Sequence, residues 1–395
     1  MDDEQPKSVA DDERLTVVGV GASAGGLEAL TELLEQMSPH SAMAFAVIQH
    51  MDPRHESFLP DLLSSKTRMR VVAVHEGMRI ESNHVYVISP NTVLRVDDGC
   101  LIPEQRPAES FKPIDSFFDS LAAQYKERAI GIVLSGTATD GTLGLKRIKA
   151  EGGITFAQDQ TAKFDSMPRS AIAAGVVDFV LSPRQIAEEL TSIARRSMAM
   201  ERGDILAPGN GATMERLLHL LRKKCGVDFT QYKQPTIARR LSRRMVVRKT
   251  EDLEGYLRLV QRESGELQAL FDDLLINVTD FFRDPEVFEA AKQLAFPEIV
   301  KNRKQPHTIR AWIPGCSSGE EVYSMAIALT EFLESQDLGC ALQMFGTDVS
   351  DRTIDAARKG IYSESAIANV SSSLIVTAIA LNFKVRIADY SNGCY

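Results

Sequence analysis

Leu15-Thr-Val-Val-Gly-Val-Gly-Ala-Ser-Ala-Gly-Gly-Leu27 is the stretch that decides the fold. It begins as an apolar run of strand length, passes through a glycine-rich turn, and from Leu27 to Met37 carries apolar residues at helical spacing. Strand, tight turn and helix in that order open a parallel α/β sheet. Two more strand-like runs follow: Ala44–Ile48, closed by Gln49 and His50, and Ala129–Leu134, which leads into Ser135-Gly-Thr-Ala-Thr-Asp-Gly141. In a parallel sheet the carboxyl ends of the strands share one edge, and ligands bind there. Ser23, His50 and Asp140, each just past a strand, are therefore expected to meet.

Three other readings of these residues compete. Gly19-Val-Gly21 suggests a dinucleotide loop, but the third glycine comes one residue late, and the second strand ends in Gln49-His50 where an acid should hold the ribose. Gly21-Ala-Ser-Ala-Gly25 fits the nucleophile elbow of the α/β-hydrolases, yet their triad runs Ser, acid, His, whereas here the order is Ser, His, Asp. Asp140 could also simply cap the helix expected to begin near Thr142. Hydrolytic chemistry accounts for all three residues together. A serine hydroxyl needs a hydrogen-bonded base to become a nucleophile, and a buried Asp fixes the imidazole tautomer. Backbone N–H groups at the start of the following helix, such as that of Ala24, would face the developing oxyanion, where one donor is worth about 3 kcal/mol.

The three motifs, Gly21–Gly26, Ile48-Gln-His-Met51 and Ser135–Gly141, resemble the catalytic domain of the chemotaxis-receptor methylesterases (CheB type) over residues 14–200. The resemblance implies a doubly wound parallel sheet, with Ser23 as nucleophile, His50 as base and Asp140 as its orienting partner. It also implies glutamyl methyl esters on receptor helices as substrate, glutamine deamidation as a related reaction, and no cofactor for the hydrolysis. Thr137 stands where many members of that family carry Met.

Composition bounds the rest. At 395 residues the chain is long enough for two or three domains. An apolar fraction of 44% with 25% charged residues is that of a soluble globular protein. A net charge of −9 gives no general attraction to nucleic acid or anionic membrane. Five scattered cysteines without a Cys-x-x-Cys pair indicate neither a zinc site nor a disulfide framework. The acidic start has no positive or apolar signal region, so a cytoplasmic location is expected. Residues 1–13 are too few for the phospho-acceptor receiver domain that many relatives carry in front.

Further strands are expected at Gly153–Phe156 and Val176–Leu181, then a helix over Pro183–Ala199. Ala207-Pro-Gly-Asn-Gly-Ala212 reads as a domain boundary. After a helix at Met214–Lys224, the segment Thr236–Lys249 places Ile237, Leu241 and Met245 on one face and Arg239, Arg240, Arg243 and Arg244 across much of the other. The arginine face reads as solvated or as a surface for an acidic protein partner; single-stranded nucleic acid would want interleaved aromatics.

Beyond it, strand-like Thr308–Ile313 runs into Pro314-Gly-Cys-Ser-Ser-Gly-Glu-Glu321 and a helix at Val322–Leu333. A second strand, Leu342–Gly346, ends in Thr347-Asp348, which supplies the ribose-binding acid missing from the first domain. An ordinary strand–loop–helix turn without ligand is the alternative. Phe229–Met245, Asn277-Val-Thr-Asp-Phe-Phe-Arg283, Gly315–Glu321 and Gly346-Thr-Asp348 resemble the receptor glutamate methyltransferases (CheR type) over residues 213–365. That resemblance implies that Asn277, Thr279, Arg283, Glu321 and Asp348 hold S-adenosylmethionine and that the arginine helix docks on a receptor. The whole chain thus resembles the CheB–CheR fusion proteins. The expected order is a methylesterase domain at 14–200, a small helical domain at 213–267, a partial Rossmann-like methyltransferase domain at 268–365, and an atypical tail at 366–395.

The resemblance runs out near Gly360, and the remaining residues amount to little more than one βαβ unit. The apolar run after Ser371 is too short to span a membrane. An incomplete cofactor site is the expectation, with weak S-adenosylmethionine binding and no methyl transfer. Two classes of function remain in view: an ester hydrolase acting on chemotaxis-type receptors and tethered to an incomplete methyltransferase, or a signalling scaffold whose C-terminal part only binds receptor or cofactor.

Overall fold

The computed structural model describes residues 15–50, 58–105, 112–200, 205, 207–275, 279–301, 308–362, 367 and 370. The chain forms two compact units that divide between Leu274 and Leu275.

The first unit is built on a parallel sheet of β1 (Thr16–Ala22), β2 (Met43–Gln49), β3 (Arg70–Ala73), β5 (His84–Val87), β8 (Ala129–Val133), β9 (Ile154–Gln158) and β10 (Phe179–Leu181), in the order β10-β9-β8-β1-β2-β5-β3. A small antiparallel sheet is inserted between them: β4 (Met78–Arg79), β6 (Thr92–Asp97) and β7 (Cys100–Gln105), in the order β4-β7-β6. Alternation along β1 sends side chains into two separate cores. Val18, Val20 and Ala22 meet Leu30, Leu33 and Leu34 of helix Gly26–Gln36, with Ile186 and Leu190 of helix Pro183–Met200 in the same cluster. Val17 shares the opposite core with Phe117, Phe118 and Leu121 of helix Pro113–Tyr125 and with Leu145 and Ile148 of helix Thr142–Ala150. A strand buried on both faces reads as an unbroken apolar run, which is why the sequence shows one.

Gly19 and Gly21 have a packing cause. A Cβ on Gly19 would lie 2.7 Å from a Phe118 ring carbon, and one on Gly21 2.5 Å from the Ile114 methyl. Helix Pro113–Tyr125 therefore lies directly on this strand, and the glycine pair that suggested a dinucleotide loop serves that approach.

The same unit contains helices Gly211–Cys225, Gln234–Val247, Leu253–Arg262 and Ser264–Leu274. The arginine face expected to be open is buried instead: Arg240 and Arg243 are 2% and 3% exposed. Arg240 Nη1 donates to the Lys149 carbonyl at 3.0 Å, and its other terminal nitrogen to that of Ala150. Arg243 Nε donates to the Gly153 carbonyl at 3.0 Å, and its terminal nitrogens pair with Asp178 and Asp273. Arg244 grips Glu266 at 2.9 and 2.7 Å. The orphan carbonyls at the C-terminus of helix Thr142–Ala150 attract cations. Sequence periodicity places the arginines on one face, but it does not reveal that acceptors from a distant element lie opposite.

The second unit holds a parallel pair, β11 (Thr308–Pro314) and β12 (Ala341–Thr347), in register from Thr308 opposite Ala341 to Pro314 opposite Thr347. Helix Glu320–Ser335 connects them and helix Asp351–Lys359 follows. Ahead of β11 lie helix Pro285–Ala290, a π-helical segment at Ala291–Ala295 and helix Phe296–Val300. Among the described residues, no helix is long and apolar enough to cross a membrane.

Candidate active site

Sequence order from β1 leads to β2 on one side, and from β8 to β9 on the other, so the crevice between β1 and β8 is the switch point of the sheet. Ser23 follows β1, Asp140 follows β8, and His50 follows β2. The turn carrying Ser23 is anchored by Ser135. Ser23 N donates to the Ser135 carbonyl at 3.0 Å, and Ser135 Oγ donates to the Ala24 carbonyl at 2.8 Å and accepts from Phe164 N at 3.0 Å. Gly25, at φ +69°, makes room for this contact; a Cβ there would also lie 2.8 Å from Ser135 Oγ. Among the described residues, the N–H groups of Ala24 and Gly25 have no acceptor, which leaves them available to a substrate oxygen.

His50 N donates to the Ala22 carbonyl at 3.2 Å, tying the end of β2 to that of β1. Its ring Nε2 lies 2.8 Å from Asp140 Oδ2. The Asp140 side chain is only 4% exposed while that of His50 is 33% exposed, so the carboxylate is shielded and the ring reaches solvent. Asp140 also accepts from three backbone N–H groups: Ile114 at 3.1 Å, Asp115 at 2.9 Å and Gly141 at 2.9 Å. It does not cap the helix that follows it, whose N-cap is Gly141 without a side-chain bond. Its carboxylate faces the N-terminus of helix Pro113–Tyr125, where orphan N–H groups and the helix dipole favour an anion. With Nε2 engaged, Nδ1 is the ring nitrogen left for a hydroxyl. Among the described residues, Ser23 Oγ makes no hydrogen bond; such bonds are often long in free enzymes and tighten with substrate.

Beside Asp140, burial and the Asp140 charge push the Asp115 carboxyl up to about 7. Its Oδ1 accepts from Gly144 N at 2.8 Å.

In the second unit, a cavity of about 320 Å³ is lined by Thr279, Arg283, Ser317, Glu321 and Asp348. Four of the five residues expected to hold a cofactor thus share one cavity; Asn277 lies outside the described residues. Asp348 Oδ2 accepts from Ser317 N at 2.8 Å and Oδ1 from Ser350 N at 2.9 Å, which locks the carboxylate at the end of β12. Among the described residues, Ser317 Oγ is buried without a hydrogen-bond partner. Phe282, Asp284 and Ser317 all have positive φ, at 52°, 56° and 48°. Left-handed backbone at non-glycine residues is costly and clusters at ligand sites.

Residues 18–190 match the family described as CheB methylesterase, 212–275 the all-alpha domain of CheR methyltransferase, and 277–381 the CheR SAM binding domain. A putative protein-glutamate methylesterase/protein-glutamine glutaminase of Leptospira interrogans is 34% identical over 173 residues, 43% of this chain and 90% of that protein. The chain belongs to the CheB methylesterase family. Behind its CheB domain it carries both CheR domains, the architecture of a fusion. An uncharacterized 104.1 kDa protein of Rhodobacter capsulatus is 34% identical over 344 residues, which is 80% of this chain and 36% of that one. Protein-glutamate methylesterase/protein-glutamine glutaminase 4 of Burkholderia thailandensis is 34% identical over 190 residues, 47% of this chain and 56% of that one. The chain thus spans little more than a third of the length of the first of these relatives and little more than half of the second.

The CheR match continues to residue 381, past Gly360 where the recognisable motifs stop. Nearly all of residues 363–395 lies outside the described residues.

Sequence reading of the CheB domain missed helix Pro113–Tyr125, whose first turn holds Asp140. Lys112-Pro113-Ile-Asp115 carried the signal, since Pro is favoured at the first helical position. It also missed Ser135, which looks like an ordinary loop serine. In the CheR half, the cavity residues fit S-adenosylmethionine. A locked carboxylate at a strand end suits ribose hydroxyls, Arg283 suits a carboxylate, and the orphan Ser317 hydroxyl needs a polar partner.

Proposed function

We propose that the CheB domain, over residues 14–200, hydrolyses glutamyl methyl esters on chemotaxis-type receptors and deamidates receptor glutamines by the same route. Ser23 Oγ attacks the ester carbonyl and passes its proton to His50 Nδ1. The oxyanion is received by backbone N–H groups, with Ala24 foremost. Asp140 holds the ring through Nε2 and stabilises the imidazolium. The imidazolium returns the proton to the departing methoxide, and methanol leaves. Water, activated by the same ring, then cleaves the glutamyl-serine ester. No cofactor takes part. The observation that carries this reading is the 2.8 Å bond between His50 Nε2 and the shielded Asp140, formed at the strand edge that bears Ser23.

The CheR half, with a helical domain over 213–267 and a partial cofactor domain over 268–365, is read as an incomplete receptor-glutamate methyltransferase that binds S-adenosylmethionine weakly and transfers no methyl group. Asp348 would orient the ribose, Arg283 and Thr279 the amino-acid end, with Glu321 and Asn277 completing the site. The protein is read as cytoplasmic, approaching the membrane only through its receptor, with other chemosensory proteins as partners and no nucleic acid.

The test is labelling with a fluorophosphonate, a general probe of activated serines. One adduct on Ser23, lost in His50→Ala, supports the triad. An adduct elsewhere, or none at Ser23 in the folded protein, overturns it.

A further inference from the structure

A second carboxylate lies against the triad and has no part in the mechanism above. Asp115 sits in the first turn of helix Pro113–Tyr125, and its backbone N–H donates to Asp140 Oδ1 at 2.9 Å. Its own Oδ1 accepts from Gly144 N, at 2.8 Å, in the first turn of helix Thr142–Ala150. Asp140 lies just before that second helix and is held by the N-terminus of the first. The Asp115 side chain therefore joins the two helix starts between which Asp140 is held. Among the described residues its other oxygen, Oδ2, is buried without a hydrogen-bond partner, and it lies 3.9 Å from Lys112 Nζ.

We propose that Asp115 is a positioning residue for the triad: by clipping helix Pro113–Tyr125 to helix Thr142–Ala150, it sets the N–H groups that hold Asp140 and so the orientation of His50. The inference rests on the reading of Ser23, His50 and Asp140 as a triad. It does not depend on the identity of the ester.

The arrangement has a consequence for pH. The charged groups facing Asp115 are Asp140, from the loop after β8, and Lys112, just ahead of its own helix; Arg147 of the neighbouring helix is paired with Asp119 one turn further along. Burial first, and the Asp140 charge second, disfavour ionisation and push the Asp115 carboxyl up to about 7, with the Gly144 N–H and then Lys112 only partly offsetting them. Lys112 also donates to Thr139 Oγ1 at 3.4 Å, so it is shared with the loop that carries Asp140. Above neutrality a second negative charge accordingly stands behind Asp140, and it stabilises the imidazolium that forms when Ser23 attacks.

The test measures the rate of fluorophosphonate labelling of Ser23 in the full chain from pH 5.5 to 8.5, alongside the kcat and KM of methanol release. Asp115→Asn keeps an acceptor for the Gly144 N–H and removes the ionisation. Asp115→Ala removes both. The Asn variant should label within about twofold of the parent below pH 7 but fall several-fold behind it above pH 7.5, where only the parent gains the Asp115 charge. The Ala variant should label about tenfold more slowly and show the same loss in kcat with KM little changed, as expected when one buried hydrogen bond is lost. A purely structural role would leave the pH profile of the Asn variant unchanged, and that result, or parental labelling by a folded Ala variant, overturns the proposal. Labelling that follows these rules in a chain that releases no methanol would uphold the role of Asp115 and reject the ester assignment.

Discussion

Arg243 and Asp178 form a buried ion pair that joins the CheR helical domain to the CheB domain, with side chains 1% and 3% exposed. Arg243 also reaches Asp273, and its Nε caps the Gly153 carbonyl, so one guanidinium serves two carboxylates and a backbone oxygen. Burial alone would raise the Asp178 carboxyl, but Arg243 and Lys149 hold it below the usual carboxylate range.

Removing one partner of a buried pair leaves the other charge uncompensated and typically costs about 3–5 kcal/mol. Arg243→Ala should therefore lower the thermal midpoint of the first unit clearly. Arg239→Ala, on the same helix, should cost much less. Differential scanning calorimetry of both variants checks this, and equal effects would show that the buried pair is not a special contact.

The two carboxylates Asp178 and Asp115 have opposite linkage to pH. The pKa of Asp178 is depressed in the folded state, so its contribution is present above the unfolded carboxylate pKa and lost as pH falls through the lower folded value. The Asp115 value is raised to about 7, so its contribution is greatest below the unfolded pKa near 3.8 and is lost as pH rises toward 7. Asp115→Asn should thus be at least as stable as the parent at pH 8, with its advantage shrinking toward pH 5. Urea midpoints across that range measure it.

Gly21 gives a test of how the site is supported. A Cβ there would lie 2.5 Å from Ile114, the residue whose N–H holds Asp140, so Gly21→Ala must push helix Pro113–Tyr125 outward. Overpacking of this kind costs about 1–3 kcal/mol. Esterase activity should fall more than stability predicts, and Ile114→Ala added to Gly21→Ala should restore part of it. Labelling rates of the single and double variants decide the matter.

In the CheR half, Asp348→Ala should weaken S-adenosylmethionine binding by about tenfold or more, because it removes the carboxylate that the Ser317 and Ser350 N–H groups lock at the end of β12. Isothermal titration on the full chain checks it, with Arg352→Ala as a control on the exposed side of the next helix.

The strands and their shared edge were legible because β1, β2 and β8 are buried on both faces and read as apolar runs. Ser23, His50 and Asp140 could be named for the same reason: each follows such a run. What supports Asp140 was not legible. The donors come from Ile114 and Asp115, more than twenty residues earlier, and no local period in the sequence links a loop to a helix N-terminus on another element. The fate of the arginine helix was hidden for a related reason. Amphipathic spacing reports that Arg240 and Arg243 share a face, while the carbonyls of Lys149, Ala150 and Gly153 that receive them belong to a part of the chain about ninety residues away.

The central claim is that Ser23, oriented through His50 and Asp140, hydrolyses receptor glutamyl methyl esters. Its most direct test is methanol release from a methylated chemotaxis-type receptor by the full chain and by its Ser23→Ala variant. The account predicts steady release by the parent and a loss of about a thousandfold or more in the variant, with circular dichroism and thermal midpoint unchanged. Comparable release by a folded Ser23→Ala protein, or none by the parent on any methylated receptor, would contradict it.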